Sequence, residues 1–202
     1  MRNTILIGID SGFASIGYAA LAFPPRLDAT AVRCDAFGVF ETRKSPKKLH
    51  LLATEDNLRR ARDIAEFYDA LFTRLQSDDR NVVAGACLEA MSWPRNAGAT
   101  AKMGIAYGVL AAVAARHRIP LLQASPQAIK KKLCGRRDAS KLDIEAVVRS
   151  RVTHMSVDGA RDFSSFADQI PKSKREHCFD AAAAVFACCD AEPIQFMRRS
   201  AA

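Results

Sequence analysis

The chain has 202 residues, of which 49% are hydrophobic and 26% charged, a composition typical of a soluble, single-domain globular protein. Thirty Lys and Arg against 22 Asp and Glu leave a net charge of +8, which favours a polyanionic partner such as DNA, RNA or an anionic membrane surface. The longest apolar stretches, residues 104–115 and 181–189, are too short to span a bilayer and no signal-peptide pattern opens the chain, so we expect a cytoplasmic protein outside the membrane.

The first half of the chain predicts three strands, a helix and a fourth strand. Residues 4–9 are β-branched and apolar, and the strand-like segments 17–23 and 31–42 follow closely, so we expect an antiparallel meander. A helix begins near Thr54, a residue suited to an N-cap. Residues 82–88 are uniformly apolar, which is typical of a central strand parallel to the first.

The second half predicts mainly helices. Residues 99–116 form an apolar helix, and a fifth strand follows at 120–124. Two short helices are predicted at 126–133 and 141–151. Residues 152–172 show no clear period, which indicates a surface insertion.

The last helix is predicted from a capping-box pattern, Ser173-x-x-Glu176, and ends near Cys189, leaving 191–202 as a tail. A meander followed by βαβ crossovers predicts an α/β fold, a mixed five-stranded sheet with helices on both faces. This is the ribonuclease H-like arrangement, and we expect it to occupy residues 1–190 as one domain.

The six cysteines include no Cys-x-x-Cys pair. Cys87 and Cys188 lie inside apolar runs, so we expect reduced core residues. A zinc site made by His177 and Cys178 is disfavoured because adjacent residues suit tetrahedral ligation poorly.

Three acidic residues lie at the ends of separated apolar segments or at the head of the last helix: Asp10, Glu89 and Asp180. A carboxylate at the end of a buried strand costs free energy unless something compensates it. The first and fourth strands are predicted neighbours, so Asp10 and Glu89 should meet at one edge. If the last helix packs over that edge, the three carboxylates suit divalent cations bound to phosphates. Each acid also has a structural explanation, as a turn residue, the start of a loop or an ion-pair partner.

His177 and Glu176 accompany the third acid on the last helix. His177 is three residues before Asp180 and shares its helical face, so it is either a ligand or a solvent-facing polar residue. Glu176 is four residues before Asp180 and could share that face as a metal ligand, but as the third residue of the capping box it should bond the backbone of Ser173.

The sequence contains four ordered blocks of polar and glycine residues. The first is Gly8-Ile9-Asp10-Ser11-Gly12-x4-Gly17-Tyr18, and the last is His177-x-x-Asp180-Ala181-x-Ala183. Between them lie Glu89-x6-Asn96-x5-Lys102-x-Gly104-x3-Gly108 and Lys130-x4-Gly135-x5-Lys141. In this order the blocks resemble those of the RuvC-type Holliday junction resolvases, which usually have Pro at position 11 and in many members Asp at position 177. The resemblance covers most of residues 3–190, and apparent insertions near 24–31, 43–54 and 152–172 favour a phage-encoded member.

The resemblance implies a metal-dependent crossover junction endonuclease of DNA recombination and repair. The residues that would hold two Mg²⁺ or Mn²⁺ ions are Asp10, Glu89, His177 and Asp180. One ion would generate the attacking hydroxide and the other would stabilise the leaving 3′ oxygen, with the ions about 3.5–4 Å apart.

The resemblance also implies a DNA-binding set. Lys130 and Lys141 match lysines that contact DNA near the scissile phosphate. The family places a junction-opening aromatic in the loop after the second acid; its position here is Ser92, and the aromatic is Trp93, one residue later. Trp93 is either a stacking wedge stiffened by Pro94 or a core residue. The remaining predicted DNA-binding residues are Arg95, Asn96 and Lys102.

Symmetric cleavage of a four-way junction needs two active sites related by a twofold axis, so a homodimer is expected, with the helix at 99–116 as its interface by family analogy. A helicase partner is not identified by the sequence. The alternatives are a less junction-specific ribonuclease H-like nuclease acting on branched DNA and a non-catalytic junction-binding module.

Overall fold

The computed structural model describes residues 2–24, 32–46, 49–91, 96–156 and 162–201. Within these ranges the chain forms one sheet with helices on both faces. The strands are β1 (Asn3–Ser11), β2 (Ser15–Phe23), β3 (Val32–Glu41), β4 (Asn81–Glu89), β5 (Leu121–Ala124) and β6 (Val152–Met155). The helices are α1 (Ala53–Gln76), α2 (Ala97–Arg116), α3 (Pro126–Cys134), α4 (Lys141–Arg151), α5 (Phe163–Ala167), α6 (Lys172–Cys188) and α7 (Glu192–Ala201).

The sheet has the strand order β5-β4-β1-β2-β3-β6. The predicted meander is confirmed, since β1, β2 and β3 pair antiparallel in succession. β4 is parallel to β1 and β5 is parallel to β4, also as predicted. The ribonuclease H-like α/β arrangement is therefore confirmed, and the carboxyl ends of β1, β4 and β5 meet at one edge.

The predicted number of five strands is wrong, because a sixth strand lies within the segment predicted as an insertion. β6 pairs in parallel with β3, beginning at Val152 beside Val32. Its two buried side chains, Val152 and Met155, are three residues apart, so the strand has no alternating pattern that sequence analysis can detect. The segment thus extends the sheet and also contains α5.

Alternation along β1 decides which helices meet which side chains. Ile5, Ile7 and Ile9 belong to the core under α1 and α2. Leu6 belongs to the opposite core, under α6. Because successive side chains of a strand point to opposite faces, Asp10 belongs to the α6 face.

Two glycines allow α6 to lie directly on the sheet. A Cβ added at Gly8 would stand 1.9 Å from the carbonyl oxygen of Ala181, and one at Gly17 would stand 2.2 Å from that of His177. These distances are far inside van der Waals contact, so no larger residue fits without moving the helix. The alanines that follow, Ala181 to Ala184, are almost completely buried and keep the helix close to the strands.

The beginning of α6 differs from the predicted capping box. Its N-cap is Pro171 and no side chain caps the helix. Ser173 is therefore the second helical residue, and Glu176 lies one turn inside. Its carboxylate instead contacts the Nζ of Lys141 at 3.1 Å, so the capping role predicted for Glu176 is wrong.

Helix α2 is long and apolar enough to cross a membrane by length and composition alone, with a mean hydropathy of 1.3. Only 22% of this apolar stretch is buried inside the protein. Leu110 and Ala114 pack into the core beside α1 and the sheet, whereas Gly104 and Gly108 are exposed, with open space around them. One face of the helix therefore packs on the domain and the other is uncovered.

The predicted tail, residues 191–202, contains α7. Ile194 of this helix is completely buried and belongs to the same core as α6. The proposed division into a domain of residues 1–190 and a tail stays a prediction, although α7 contributes to the core.

Candidate active site

The site begins with two carboxylates at the same edge of the sheet. β1 and β4 pair in parallel up to Ile9 beside Leu88, so the next residues, Asp10 and Glu89, lie side by side. Leu88 packs into the α1–α2 core and Cys87 into the α6 core. Glu89, two residues after Cys87, therefore shares the α6 face with Asp10.

His177 reaches the first carboxylate from α6. Its Nδ1 lies 2.6 Å from Oδ2 of Asp10, in a hydrogen bond that leaves both side chains partly exposed. This bond raises the pKa of His177 above its usual value, against an opposing effect of burial. The close approach of α6 at Gly17 brings the His177 backbone to the position from which this contact is possible.

The backbone of Glu89 is held by the sheet and also by a side chain of α2. The hydroxyl of Tyr107, on α2, donates a hydrogen bond of 2.7 Å to the Glu89 carbonyl oxygen. Burial raises the pKa of the Glu89 carboxyl, and the neighbouring Asp180 and Asp10 raise it further. Burial and the same carboxylates, Asp10 and Glu89, raise the pKa of Tyr107 to about 12. The edge therefore gathers negative charge in a partly desolvated setting.

Asp180 lies one helical turn beyond His177 and is paired with a lysine. Lys141, the first residue of α4, donates a hydrogen bond to Oδ2 of Asp180 and also contacts Glu176. Burial raises the pKa of Asp180, whereas Lys141 opposes that increase. Burial alone would lower the pKa of Lys141, but its bonds to the two carboxylates hold it above the usual value. Lys141 thus compensates the carboxylates on α6.

Of the other predicted DNA-binding residues, those that the structure describes belong to α2 and α3. Lys130, on α3, is close enough to Glu89 to lower the pKa of that carboxyl, against the larger effect of burial. Asn96 caps α2, where its side chain accepts hydrogen bonds from the backbone of Gly98 and Ala99, and Lys102 lies in the second turn of the same helix. Trp93 and Arg95 lie outside the described residues.

The four predicted ligands share one edge, but their side chains do not yet surround a common point. Within the described ranges, no three His, Cys, Asp or Glu side chains are grouped closely enough to hold an ion. The donor set nevertheless fits a hard divalent cation. It offers carboxylate oxygens whose mutual repulsion raises the pKa of Glu89 and Asp180 on top of the effect of burial, and a cation would relieve that repulsion.

Sequence reasoning missed two features of the site. It did not identify Tyr107, because an isolated tyrosine within an apolar helix carries no signal of a contact with another element. It also did not foresee that Glu176 and Asp180 share Lys141, because Lys141 lies on another helix, 39 residues before Asp180, and no sequence pattern links the two positions. Glycines 8 and 17 did belong to a recognised block, and their role is visible only once α6 is placed.

Comparisons with known proteins agree with this architecture. A family model described as crossover junction endodeoxyribonuclease RuvC matches residues 6–158. The protein of that name from Natranaerobius thermophilus is 26% identical over 145 residues, which is 72% of this chain and 78% of its own. The one from Chlamydia felis is 27% identical over 145 residues, covering 71% of this chain and 75% of its own.

Solved structures show the same fold. The structure of Thermus thermophilus RuvC in complex with a Holliday junction substrate has a TM-score of 0.66 at 20% identity, covering 97% of this chain and 96% of that one. The yeast mitochondrial Holliday junction resolvase Ydc2 has a TM-score of 0.61 at 16% identity, covering 98% of this chain and 82% of that one.

Proposed function

Because this chain belongs to the RuvC family of crossover junction endodeoxyribonucleases, we propose that it resolves four-way DNA junctions by paired, symmetric nicks made at the edge that carries Asp10, Glu89, His177 and Asp180. The observation that carries the proposal is that these residues, from β1, β4 and α6, lie at one edge of the sheet beside two lysines from other helices. The family accounts for the reaction, and the geometry suggests which residues perform it.

The proposed ligands suit the chemistry that metal-dependent nucleases need. When bound, two Mg²⁺ or Mn²⁺ ions supply a water of lowered pKa as nucleophile and stabilise charge on the leaving 3′ oxygen. Asp10 and Glu89 present oxygen atoms from neighbouring strands, and Asp180 adds one from α6, which packs on the same face of the sheet. The hydrogen bond from Tyr107 keeps the end of β4, and with it the Glu89 backbone, in place.

Lysines are proposed to hold the DNA backbone beside these ligands. Lys141 donates to Asp180 and Glu176, and Lys130 lies within electrostatic reach of Glu89. Phosphate contacts from lysine position the duplex without reading its sequence. Both ammonium groups would thus keep a phosphate next to the carboxylates, where the anions would otherwise repel it.

Substitutions of His177 test whether this residue is a metal ligand. His177→Asp should retain nicking with Mg²⁺, because Mg²⁺ prefers oxygen ligands and a carboxylate replaces the imidazole at the same helical position. His177→Ala should lose far more activity, since no metal-ligand atom is left at this position beside Asp10. The measurement is the nicking rate of both variants at saturating junction, with Glu176→Ala as the neighbouring control. A silent His177→Ala together with a damaging Glu176→Ala would transfer the role to Glu176.

The lysines can be tested through the salt dependence of binding. Lys130→Ala and Lys141→Ala should each reduce the slope of log affinity against log salt by about one unit, the change expected for one lost phosphate contact. Junction affinity is measured in Ca²⁺ or without metal over a series of salt concentrations. Arg74→Ala is a matched control, because Arg74 lies in the last turn of α1 and lines a cavity with Asn81, at the start of β4, whereas the site is at the end of that strand. Slopes unchanged by both lysine variants would remove these residues from the DNA path.

A homodimer is proposed through the uncovered face of α2. The exposed residues on this face are small, among them Ala101, Gly104, Gly108 and Ala112, and small residues allow two helices to approach closely. Gly108→Arg should leave the fold intact, since a Cβ there meets nothing within 4 Å, but should prevent dimer formation. Sedimentation analysis of the native chain and the variant measures this. A dimer of unchanged stability in Gly108→Arg would place the interface elsewhere.

Junction specificity is tested against the nuclease alternative. The protein is incubated with Mg²⁺ and an equimolar mixture of a four-way junction and a linear duplex of the same arm sequence, each labelled differently. A resolvase nicks the junction and leaves the duplex intact. Comparable rates on both substrates would favour the less specific nuclease, and binding without nicking would favour the non-catalytic module.

A further inference from the structure

The ammonium group of Lys141 is held between two carboxylates of α6. Its Nζ lies 3.1 Å from Oε1 of Glu176 and donates a hydrogen bond to Oδ2 of Asp180. The two acids are four residues apart, so they are neighbours on one face of the helix. An ammonium group has three N–H donors. Two of them point to these carboxylates, which leaves the third for a phosphate oxygen.

The backbone of Lys141 is fixed, whereas its side chain is flexible. At the start of α4 the hydroxyl of Ser140 accepts a hydrogen bond from the backbone of Asp143, and the Asp143 carboxylate accepts one of 2.7 Å from the backbone of Ser140. Ile144 packs into the core that also contains α6. A lysine ammonium, however, stands on a flexible four-carbon stem. Its position therefore depends on the two carboxylates that bind it.

The two carboxylates differ in what else they are expected to bind. Asp180 belongs to the proposed ligand set, and its side chain is only 17% exposed. Glu176 does not belong to that set, and its side chain is 50% exposed. Its ion-pair partner in the described ranges is Lys141, whereas Lys174 of the same helix binds Glu41 at 2.5 Å. A divalent cation on Asp180 would compete with Lys141 for that carboxylate, but Glu176 would still hold the ammonium.

We propose that Glu176 is a positioning residue, which holds the Lys141 ammonium at the edge of the site so that its remaining donor meets a phosphate of the junction. This role rests on the proposed function, since it requires DNA bound at that edge. Glu176 would then strengthen DNA binding through Lys141, although its own negative charge repels the phosphates. An exposed acid without this role would only weaken binding.

Removal of the Glu176 charge gives opposite results in the two cases. For an acid without a role, Glu176→Gln should tighten junction binding slightly, because one repulsive charge beside the phosphates is lost. For a positioning residue, the same substitution should weaken binding by about threefold or more, the scale of one exposed ion pair. It should also lower the slope of log affinity against log salt by up to about one unit, because the phosphate contact of Lys141 is lost.

Both quantities are measured on the full-length chain with a four-way junction in Ca²⁺, over a series of salt concentrations. Asp138→Asn is the matched control, because it also removes one exposed carboxylate, between α3 and α4. This control should bind the junction as tightly as the native chain or more tightly. Thermal melts should show little change in either variant, since an exposed ion pair contributes little to stability.

A double-mutant cycle shows whether Glu176 acts through Lys141. In a Lys141→Met background, Glu176→Gln should no longer weaken binding, because the ammonium that it holds is absent. The inference is overturned if Glu176→Gln tightens binding or leaves affinity and slope unchanged, or if it weakens binding equally in the Lys141→Met background. These outcomes leave the proposed function in place. A native chain without affinity for the junction would contradict the proposed function and this inference together.

Discussion

Asp10→Asn, Glu89→Gln and Asp180→Asn should each lower the rate of junction nicking by about a thousandfold or more while leaving junction binding in place. The substitutions keep the size of each side chain but remove a negative charge, so a divalent cation loses a ligand. A loss on the order of a thousandfold is the scale seen when one strong electrostatic stabiliser of a transition state is removed. In the proposed arrangement the phosphate contacts come from lysines, so affinity should persist.

The three variants are compared with Asp138→Asn, which removes an exposed carboxylate whose ion pair with Arg136 is long, at 3.7 Å. This control should nick at the native rate. Nicking rates and junction affinities are measured on the same preparations, with thermal melts to show that each variant is folded. Native nicking by any one of the three would remove that residue from the site, and loss of binding by all three would assign them to DNA contact.

Gly8→Ala should destabilise the protein by about 3 kcal/mol or more, at the upper end of the cost of overpacking a core. The added methyl group would stand 1.9 Å from the carbonyl oxygen of Ala181, and backbone cannot rotate aside as a side chain can. Helix α6 must therefore move away from β1. Because α6 carries His177 and Asp180, any protein that remains folded should also nick poorly.

Gly104→Ala is the matched control, since it makes the same substitution where nothing in the chain lies within 4 Å. Because Gly104 belongs to the proposed dimer face, both glycine variants are made in the Gly108→Arg background, where an alanine at 104 should stabilise the helix by about 0.5–1 kcal/mol. Urea denaturation of both variants and of the Gly108→Arg parent, at one protein concentration, gives the comparison. Equal stability of Gly8→Ala and this parent would contradict the direct packing of α6 on β1.

The positions of Asp10 and Glu89 could be predicted because they depend on simple rules. Each ends a run of apolar residues long enough for a buried strand, and parallel central strands place their carboxyl ends at one edge. The spacing of His177 and Asp180 within a helix was equally clear. What the sequence alone could not supply was the height of α6 above the sheet, which Gly8 and Gly17 permit.

The remaining features depend on tertiary contacts that local patterns do not record. β6 was missed because a four-residue strand with Val152 and Met155 buried does not alternate. Glu176 was assigned to a cap because Ser173-x-x-Glu176 matches the capping-box pattern, yet the helix begins earlier, at Lys172, and Lys141 is available to pair with the carboxylate. In both places the fold overrides a local preference.

Strand-resolved mapping of products from a four-way junction tests the proposed function most directly. Each of the four strands is labelled in turn, and the junction is incubated with the protein in Mg²⁺ and, separately, in excess EDTA. We predict nicks at symmetric positions in two strands of like polarity in Mg²⁺, and none in EDTA or with Asp180→Asn. Nicks in EDTA, nicks at unrelated positions in all four strands, or undiminished nicking by Asp180→Asn would contradict a paired, metal-dependent resolvase built on this site.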